Sequence, residues 1–384
     1  MRIDGRTFKS LEGLRGYMAW TVVLSHVFHF SGYDANRSLQ WVGKLLNGTA
    51  AVNVFIVVSG FVITHLLLAR NERYGPYLIR RALRIVPIYY VCLLIALVLL
   101  PVQIRFSTHD WIADHAVWAH RFAAFTPNLA DHFLVHLTLL HGIIPDSLIP
   151  ESSWSILGPA WSLSLEWQFY LLAPFIVRLM RVGRIAELAC VMVLLAIHVA
   201  LHRQTAFTWH WPAFLPLSIH FFLLGILCRL HLPAIARQPV WVIPAVGFGG
   251  ALLFHAWTYE LVVWTIFFAA ILWEIRRSMN TDLAATSTGA VLSGLAQNRL
   301  AIVLGRASYS TYLIHVPFLA CVAWAGESWL GLQTPGSLTV LCLLALPVLA
   351  FLSMGLYEYV EAPFIRLGGR LAAAKPIVAT ETST

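Results

Sequence analysis

The chain has 384 residues, 59% of them hydrophobic and 11% charged, with 26 Lys+Arg against 18 Asp+Glu and a formal net charge of +8; its mean hydropathy is +0.74. A soluble domain is about 45–50% apolar and ~25% charged, and a disordered chain is poorer still in apolar residues, so both classes are excluded. The expectation is an all-α polytopic membrane protein.

The opening stretch MRIDGRTFKSLEGLRG is polar for too long to begin a cleaved signal peptide, so the first apolar run is kept as a span. Ten apolar runs follow, at about 14–30, 50–68, 86–102, 161–177, 186–201, 213–230, 240–256, 260–275, 302–324 and 337–357. An eleventh stretch, 132–145 (HFLVHLTLLHGIIP), is short and holds three histidines.

Charge orders these runs. Arg2, Arg6, Lys9 and Arg15 place the N-terminus in the cytoplasm, and Arg70, Arg73, Arg80, Arg81 and Arg84 mark a cytoplasmic loop after the second run. If 132–145 does not cross, Arg178, Arg181 and Arg184 fall inside, as do Arg229 with Arg237, Arg276 with Arg277, Arg299 with Arg306, and Arg366 with Arg370. That stretch is therefore read as a re-entrant or interfacial segment. About ten transmembrane helices result, with both termini cytoplasmic. Residues 1–370 form one transmembrane domain, and 371–384 a short polar cytoplasmic tail expected to be disordered.

The basic excess thus reads as positive-inside bias, and no nucleic-acid partner is expected. The five cysteines lie in apolar stretches without a CxxC pair and read as small buried hydrophobes.

An ionisable group within a span is costly, so each is a candidate for function. Arg15 and His26 are eleven residues apart, three helical turns plus about 20°, and share a face about 16 Å apart along the axis. His26 reads either as a general base or as a hydrogen-bonded packing residue. Ser162, Glu166 and Tyr170 recur every four residues on the fourth run, at an expected depth matching that of His26. A carboxylate there can orient and charge-stabilise a histidine. Arg81 and Arg84 read as a topology anchor, as an anion-binding fork, or as both. Ser308, Tyr312 and His315 follow i, i+4, i+7 on the ninth run, lining a cavity or tying helices together. No metal is expected: His109, His115 and His120 lie near Asp110 and Asp114 without a tight ligand spacing, and sixteen histidines make chance clusters common.

At these residues the chain resembles the acyltransferase-3 family of bacterial integral-membrane acyltransferases. The resemblance rests on Leu11-Glu-Gly-Leu-Arg-Gly16 running on to Val23-Leu-Ser-His26, and on Asn53-Val-Phe-Ile-Val-Val-Ser-Gly-Phe61. It continues through Arg81-Ala-Leu-Arg84 with Pro87-Ile-Tyr-Tyr90, and Trp161-Ser-Leu-Ser-Leu-Glu-Trp-Gln-Phe-Tyr170. It closes with Leu304-Gly-Arg-Ala-Ser-Tyr-Ser-Thr-Tyr-Leu-Ile-His-Val-Pro317 and Glu361-Ala-Pro-Phe364. Members often have Asp where Asn53 stands and a second acid where Trp167 stands, so neither residue is given a role. Many also carry a C-terminal esterase-like domain, which does not follow the last span here.

The resemblance implies O-acylation at the bacterial inner membrane. An acyl group, acetyl by expectation, moves from cytoplasmic acyl-CoA to a hydroxyl of a cell-surface or lipid-linked glycan. It implies His26 and Glu166 as catalytic residues and Arg15, Arg81 and Arg84 as the CoA site. Ser162, Tyr170, Ser308, Tyr312 and His315 are the substrate-binding candidates. Acylation of a lipophilic acceptor such as a macrolide is the alternative chemistry. A glycan or metabolite transporter is the alternative class, disfavoured because no inverted repeat is visible.

Overall fold

In the computed structural model, residues 8–31, 46–70, 72–112, 114–238, 258–277 and 287–373 are described, and among them there is helix and no strand. The expected span at 240–256 and most of the expected tail lie outside the described residues.

Helix α1 is Lys9–Phe30, α2 Gly48–Ala69 and α3 Tyr74–Ser107. Short helices α4 (His115–Phe125) and α5 (Leu129–Leu137) follow, then α6 (Trp161–Met180), α7 (Arg184–Arg203) and α8 (Leu215–Leu230). After these come α9 (Thr258–Arg277), α10 (Ser287–Ala296), α11 (Arg299–Arg306), α12 (Ser308–Leu330) and α13 (Pro335–Leu356). A π-helical turn, Tyr357–Glu361, joins α13 to α14 (Ala362–Ala373).

Among the described helices, five are long and apolar enough to cross a membrane: α2, α3, α7, α12, and α13 continued through α14. Helix α7 presents Ile185, Leu188, Met192, Val193 and Ile197 on its exposed face, and α13 presents Leu344 and Phe351. Such a surface suits lipid rather than water. The chain is a multi-pass membrane protein.

Local chemistry sets the helix ends. Asn47 caps α2 by accepting from Ala50 N, and Asn298 caps α11 by accepting from Leu300 N. Gly331 ends α12 with φ at 66°. The expected run 302–324 is two helices, broken at Ala307. The third run differs more. Helix α3 begins at Tyr74, so Arg80, Arg81 and Arg84 stand on the helix itself rather than in a loop before it. Its 34 residues reach about 51 Å at 1.5 Å each, well beyond a ~30 Å hydrocarbon layer, so its first turns can carry guanidiniums at no cost in lipid.

Two close helix crossings fix the centre. A Cβ on Gly225 of α8 would sit 2.1 Å from Val57 O of α2, and one on Gly60 would sit 2.4 Å from Phe222 O. Across α1 and α11, a Cβ on Gly16 would lie 2.4 Å from Ala301 O, and one on Gly305 1.9 Å from Glu12 O. Backbone contact of this kind is how helices associate without a hydrophobic drive.

The stretch 132–145 takes in the last six residues of the nine-residue helix α5 and a single 3-10 turn, His141–Ile143. Nine residues rise about 14 Å, too short to cross. His132, His136 and His141 are all buried. Ser155 Oγ lies 2.9 Å from His132 Nδ1 and 3.1 Å from His136 Nε2, and Tyr89 Oη lies 2.9 Å from His136 Nδ1. The next segment, 151–160, is buried throughout, so α6 starts inside the protein and not at its outer edge.

Candidate active site

Helices α1, α2, α3, α6 and α12 converge on a cavity of about 410 Å³. Its apolar wall comes largely from α2, where Val52, Phe55, Ile56 and Val62 follow the helical repeat. Its polar wall contains Arg15, Arg81 and Arg84 together with Ser162, Glu166, Tyr170, Ser308, Tyr309 and Tyr312.

Glu166 is the hub. Its Oε1 accepts from Ser59 Oγ at 2.9 Å, Tyr170 Oη at 2.5 Å and Tyr309 Oη at 2.7 Å, and its Oε2 accepts from Tyr309 at 2.8 Å. Ser162 and Tyr170 flank it one turn to either side, as the four-residue repeat requires, and Ser162 Oγ donates to Tyr312 Oη at 2.9 Å. The carboxylate thereby holds two phenol rings in place, and the guanidiniums lie over those rings. Arg15 Cζ is 4.7 Å and Arg84 Cζ 5.1 Å from the Tyr309 centroid, and Arg81 Cζ is 5.8 Å from that of Tyr170. Arg15 Nε and Arg81 Nε are buried and donate to no acceptor among the described residues. Arg81 and Arg84 face the cavity because they are three apart on α3, whereas Arg80 points elsewhere and pairs with Glu72. Three cations fixed on aromatic faces beside an apolar wall suit a ligand that is phosphorylated at one end and flexible and apolar along its length.

His26 and His315 lie behind this lining. Their rings meet edge to face with centroids 4.8 Å apart. His26 Nδ1 is 2.9 Å from Val22 O and His315 Nδ1 is 2.7 Å from Tyr312 O. A carbonyl accepts, so in a neutral ring each Nδ1 carries the proton and each Nε2 keeps a lone pair. Tyr312 adjoins both regions: it lines the cavity, and its ring centroid is 5.9 Å from that of His315.

Arg15 and His26 thus face the same neighbour, α12, as their eleven-residue spacing predicts. Ser308, Tyr312 and His315 also share a face. Glu166 and His26 do not meet, however: the partners of Glu166 are Ser59, Tyr170 and Tyr309, and none is His26. The expected match in depth is not what the contacts show: Glu166 meets Tyr309, whose ring also carries Arg15 and Arg84, whereas His26 meets His315, six residues further along α12.

Three residues of the site were absent from the sequence candidates. Tyr309 lies next to Ser308 and three before Tyr312, so its helical position was the available signal. Ser59 sits in an apolar run, and only its place in the Asn53–Phe61 motif pointed to it. Glu361, 1% exposed, accepts from Ser310 Oγ at 3.1 Å, and only its place in the Glu-Ala-Pro-Phe motif pointed to it.

Half-buried arginines stacked on tyrosines, a fixed carboxylate and a histidine pair, set among the helices of a membrane protein, form a candidate active site. The acyltransferase domain model matches residues 8–354, and the chain belongs to the acyltransferase-3 family. It is an acyltransferase. Acyltransferase MdmB of Streptomyces mycarofaciens is 28% identical, over 94% of this chain and 92% of its own length. Nodulation protein 10 of Rhizobium leguminosarum bv. viciae is 24% identical over 95% of each chain. Exopolysaccharide production protein ExoZ of Rhizobium meliloti (strain 1021) is 25% identical over 84% and 90%. No solved structure matches.

Proposed function

We propose that this acyltransferase works in the inner membrane, as one domain over 1–370, and moves an acetyl group from cytoplasmic acetyl-CoA to a hydroxyl of an exported or cell-surface carbohydrate. The observation that carries the reading is the trio of guanidiniums stacked on Tyr170 and Tyr309 beside an apolar wall. Arg15, Arg81 and Arg84 take the phosphates of CoA, and the apolar wall takes its pantetheine arm. A carbohydrate acceptor is favoured by the likeness to a protein named for exopolysaccharide production.

His26 Nε2 is the general base. It removes the proton of the acceptor hydroxyl as that oxygen attacks the thioester carbonyl carbon. The C–S bond then breaks, and the CoA sulfur leaves as thiolate and takes the proton back from the imidazolium. Nδ1–H stays on Val22 O throughout and holds the ring in the required tautomer. His315 and Tyr312, with Ser162 and Ser308, contact the acceptor or the acyl group where the two regions adjoin. Glu166 is a positioning residue: it fixes the tyrosines that fix the arginines.

The test uses purified protein in a membrane mimetic and acetyl-CoA labelled on the acetyl group, with label followed into envelope glycan. Transfer by the wild type and its near-loss in His26→Ala, with CoA binding intact, is the expected result. Equal transfer by both proteins removes His26 from the chemistry.

A further inference from the structure

Outside the arginine cavity, one group of side chains converges without a purpose in acyl transfer. Asp146 lies in the segment between α5 and α6, Glu151 starts the buried run into α6, and His210 lies between α7 and α8. One ligand atom from each lies within 4.8 Å of the others. His210 Nδ1 is 3.2 Å from Glu151 Oε1 and 3.6 Å from Asp146 Oδ2.

The backbone around the group is already in register. Asp146 N donates to Thr208 O at 2.8 Å, and His210 N donates to Asp146 Oδ2 at 2.7 Å. Those bonds leave the other oxygens unmatched. Asp146 is 8% and Glu151 4% exposed, yet Asp146 Oδ1 and Glu151 Oε2 are buried with no hydrogen-bond partner. Arg121 is the nearest cation, and its Nε is 3.8 Å from Glu151 Oε1, beyond hydrogen-bonding distance. Arg121 and a protonated His210 can balance the two carboxylates in charge, yet neither donates to Asp146 Oδ1 or Glu151 Oε2. Buried carboxylates in this condition are paired, protonated or bound to a metal.

The spacing is compatible with the last of these. A tetrahedral zinc ion with ligands at ~2.0–2.1 Å holds its donors about 3.3–3.4 Å apart, and the two distances from His210 Nδ1 bracket that value. One imidazole with two carboxylates suits zinc, whereas calcium takes six to eight oxygens. The His210 side chain is 54% exposed, so an ion has access from solvent.

We propose that Asp146, Glu151 and His210 form a zinc site, with water in the fourth position, that ties the segment before α6 to the segment before α8. It has no part in the acyl-transfer chemistry. It braces the buried run 151–160, which sets the depth at which α6 delivers Glu166. This proposal stands independently of the donor and acceptor named above.

The test uses the full chain, purified without a histidine tag, saturated with zinc chloride and then desalted, with bound metal counted by mass spectrometry. One zinc per chain is expected for the wild type and none for His210→Ala, a change at an exposed side chain. His210→Cys restores the zinc, and its cobalt form shows a thiolate-to-cobalt absorption band. Zinc raises the unfolding temperature of the wild type and of His210→Cys, and leaves that of His210→Ala unchanged. A wild type that keeps no zinc overturns the proposal, as does His210→Ala keeping as much as the wild type.

Discussion

At the scale of the residue, the site separates holding from reacting. His26 is absent from the cavity lining, so its loss should fall on turnover and not on donor binding. His26→Ala is expected to lower kcat by about 10²–10⁴-fold, the usual worth of a general base, with KM for acyl-CoA unchanged. Tyr309 has the opposite signature. Its hydroxyl donates to both oxygens of Glu166, and its ring carries Arg15 and Arg84. Tyr309→Phe keeps the ring and removes the hydrogen bonds to a charged acceptor, worth about 1.5–3 kcal/mol. Steady-state kinetics should show roughly a ten- to hundredfold rise in KM for acyl-CoA with kcat little changed. A fall in kcat alone would place Tyr309 in the chemistry and overturn its positioning role.

At the scale of the element, the helices of the site were legible and their mutual depth was not. Apolar runs and the four-residue repeat were enough to put Ser162, Glu166 and Tyr170 on one face. They could not give the level at which that face sits, because a buried irregular segment, 151–160, precedes α6 and has no periodicity to read. The role of Ser59 was hidden for a related reason: its partner is 107 residues away, and the motif around it does not name that partner. The glycines at the helix crossings carry an element-scale prediction. Gly225→Ala puts a methyl against backbone rather than against a flexible side chain, so α2 and α8 must separate. A cost of about 1–3 kcal/mol is expected, visible as a lower unfolding temperature in detergent. The histidines around α5 carry another. Burial above all, with the closeness of neighbouring imidazoles, holds His136 well below its usual pKa of 6.5, and burial pushes His141 down to about 3. The unfolded chain takes up these protons near pH 6.5, so the folded state loses stability as pH falls from 6.5 towards about 3. Thermal unfolding at pH 5.0 should come earlier than at pH 7.5. His141→Phe, which keeps the stacked ring against His136, should narrow the gap.

At the scale of the whole molecule, the arrangement of charge is the basis of the expected orientation. The expected topology puts the 103–160 segment outside and the Arg178–Arg184 corner inside. Asp131 and Gly183 are exposed members of those two segments. Asp131→Cys should react with a membrane-impermeant maleimide on intact spheroplasts, and Gly183→Cys only after permeabilisation. Labelling of both from outside would require 132–145 to cross. The positive-inside pattern was readable because it depends on counts along the chain. The convergence of Asp146, Glu151 and His210 was not, because it depends on two separate connecting segments folding towards each other.

The position of Tyr312 has a consequence for water. Tyr312 lines the cavity and its ring stands 5.9 Å from that of His315, so it occupies the place where thioester and alcohol would meet and takes up room that water would otherwise fill. An acyl donor in reach of a general base is vulnerable to hydrolysis, and here a single aromatic side chain serves as the bulkhead against it. Opening that bulkhead with Tyr312→Ala should convert part of the flux from acyl transfer into wasteful release of free acid. The ratio of free acetate to acetylated acceptor, measured at equal CoA release, should rise in this variant and stay low in Tyr312→Phe. In that case the fidelity of the enzyme for acceptor over solvent resides in one ring.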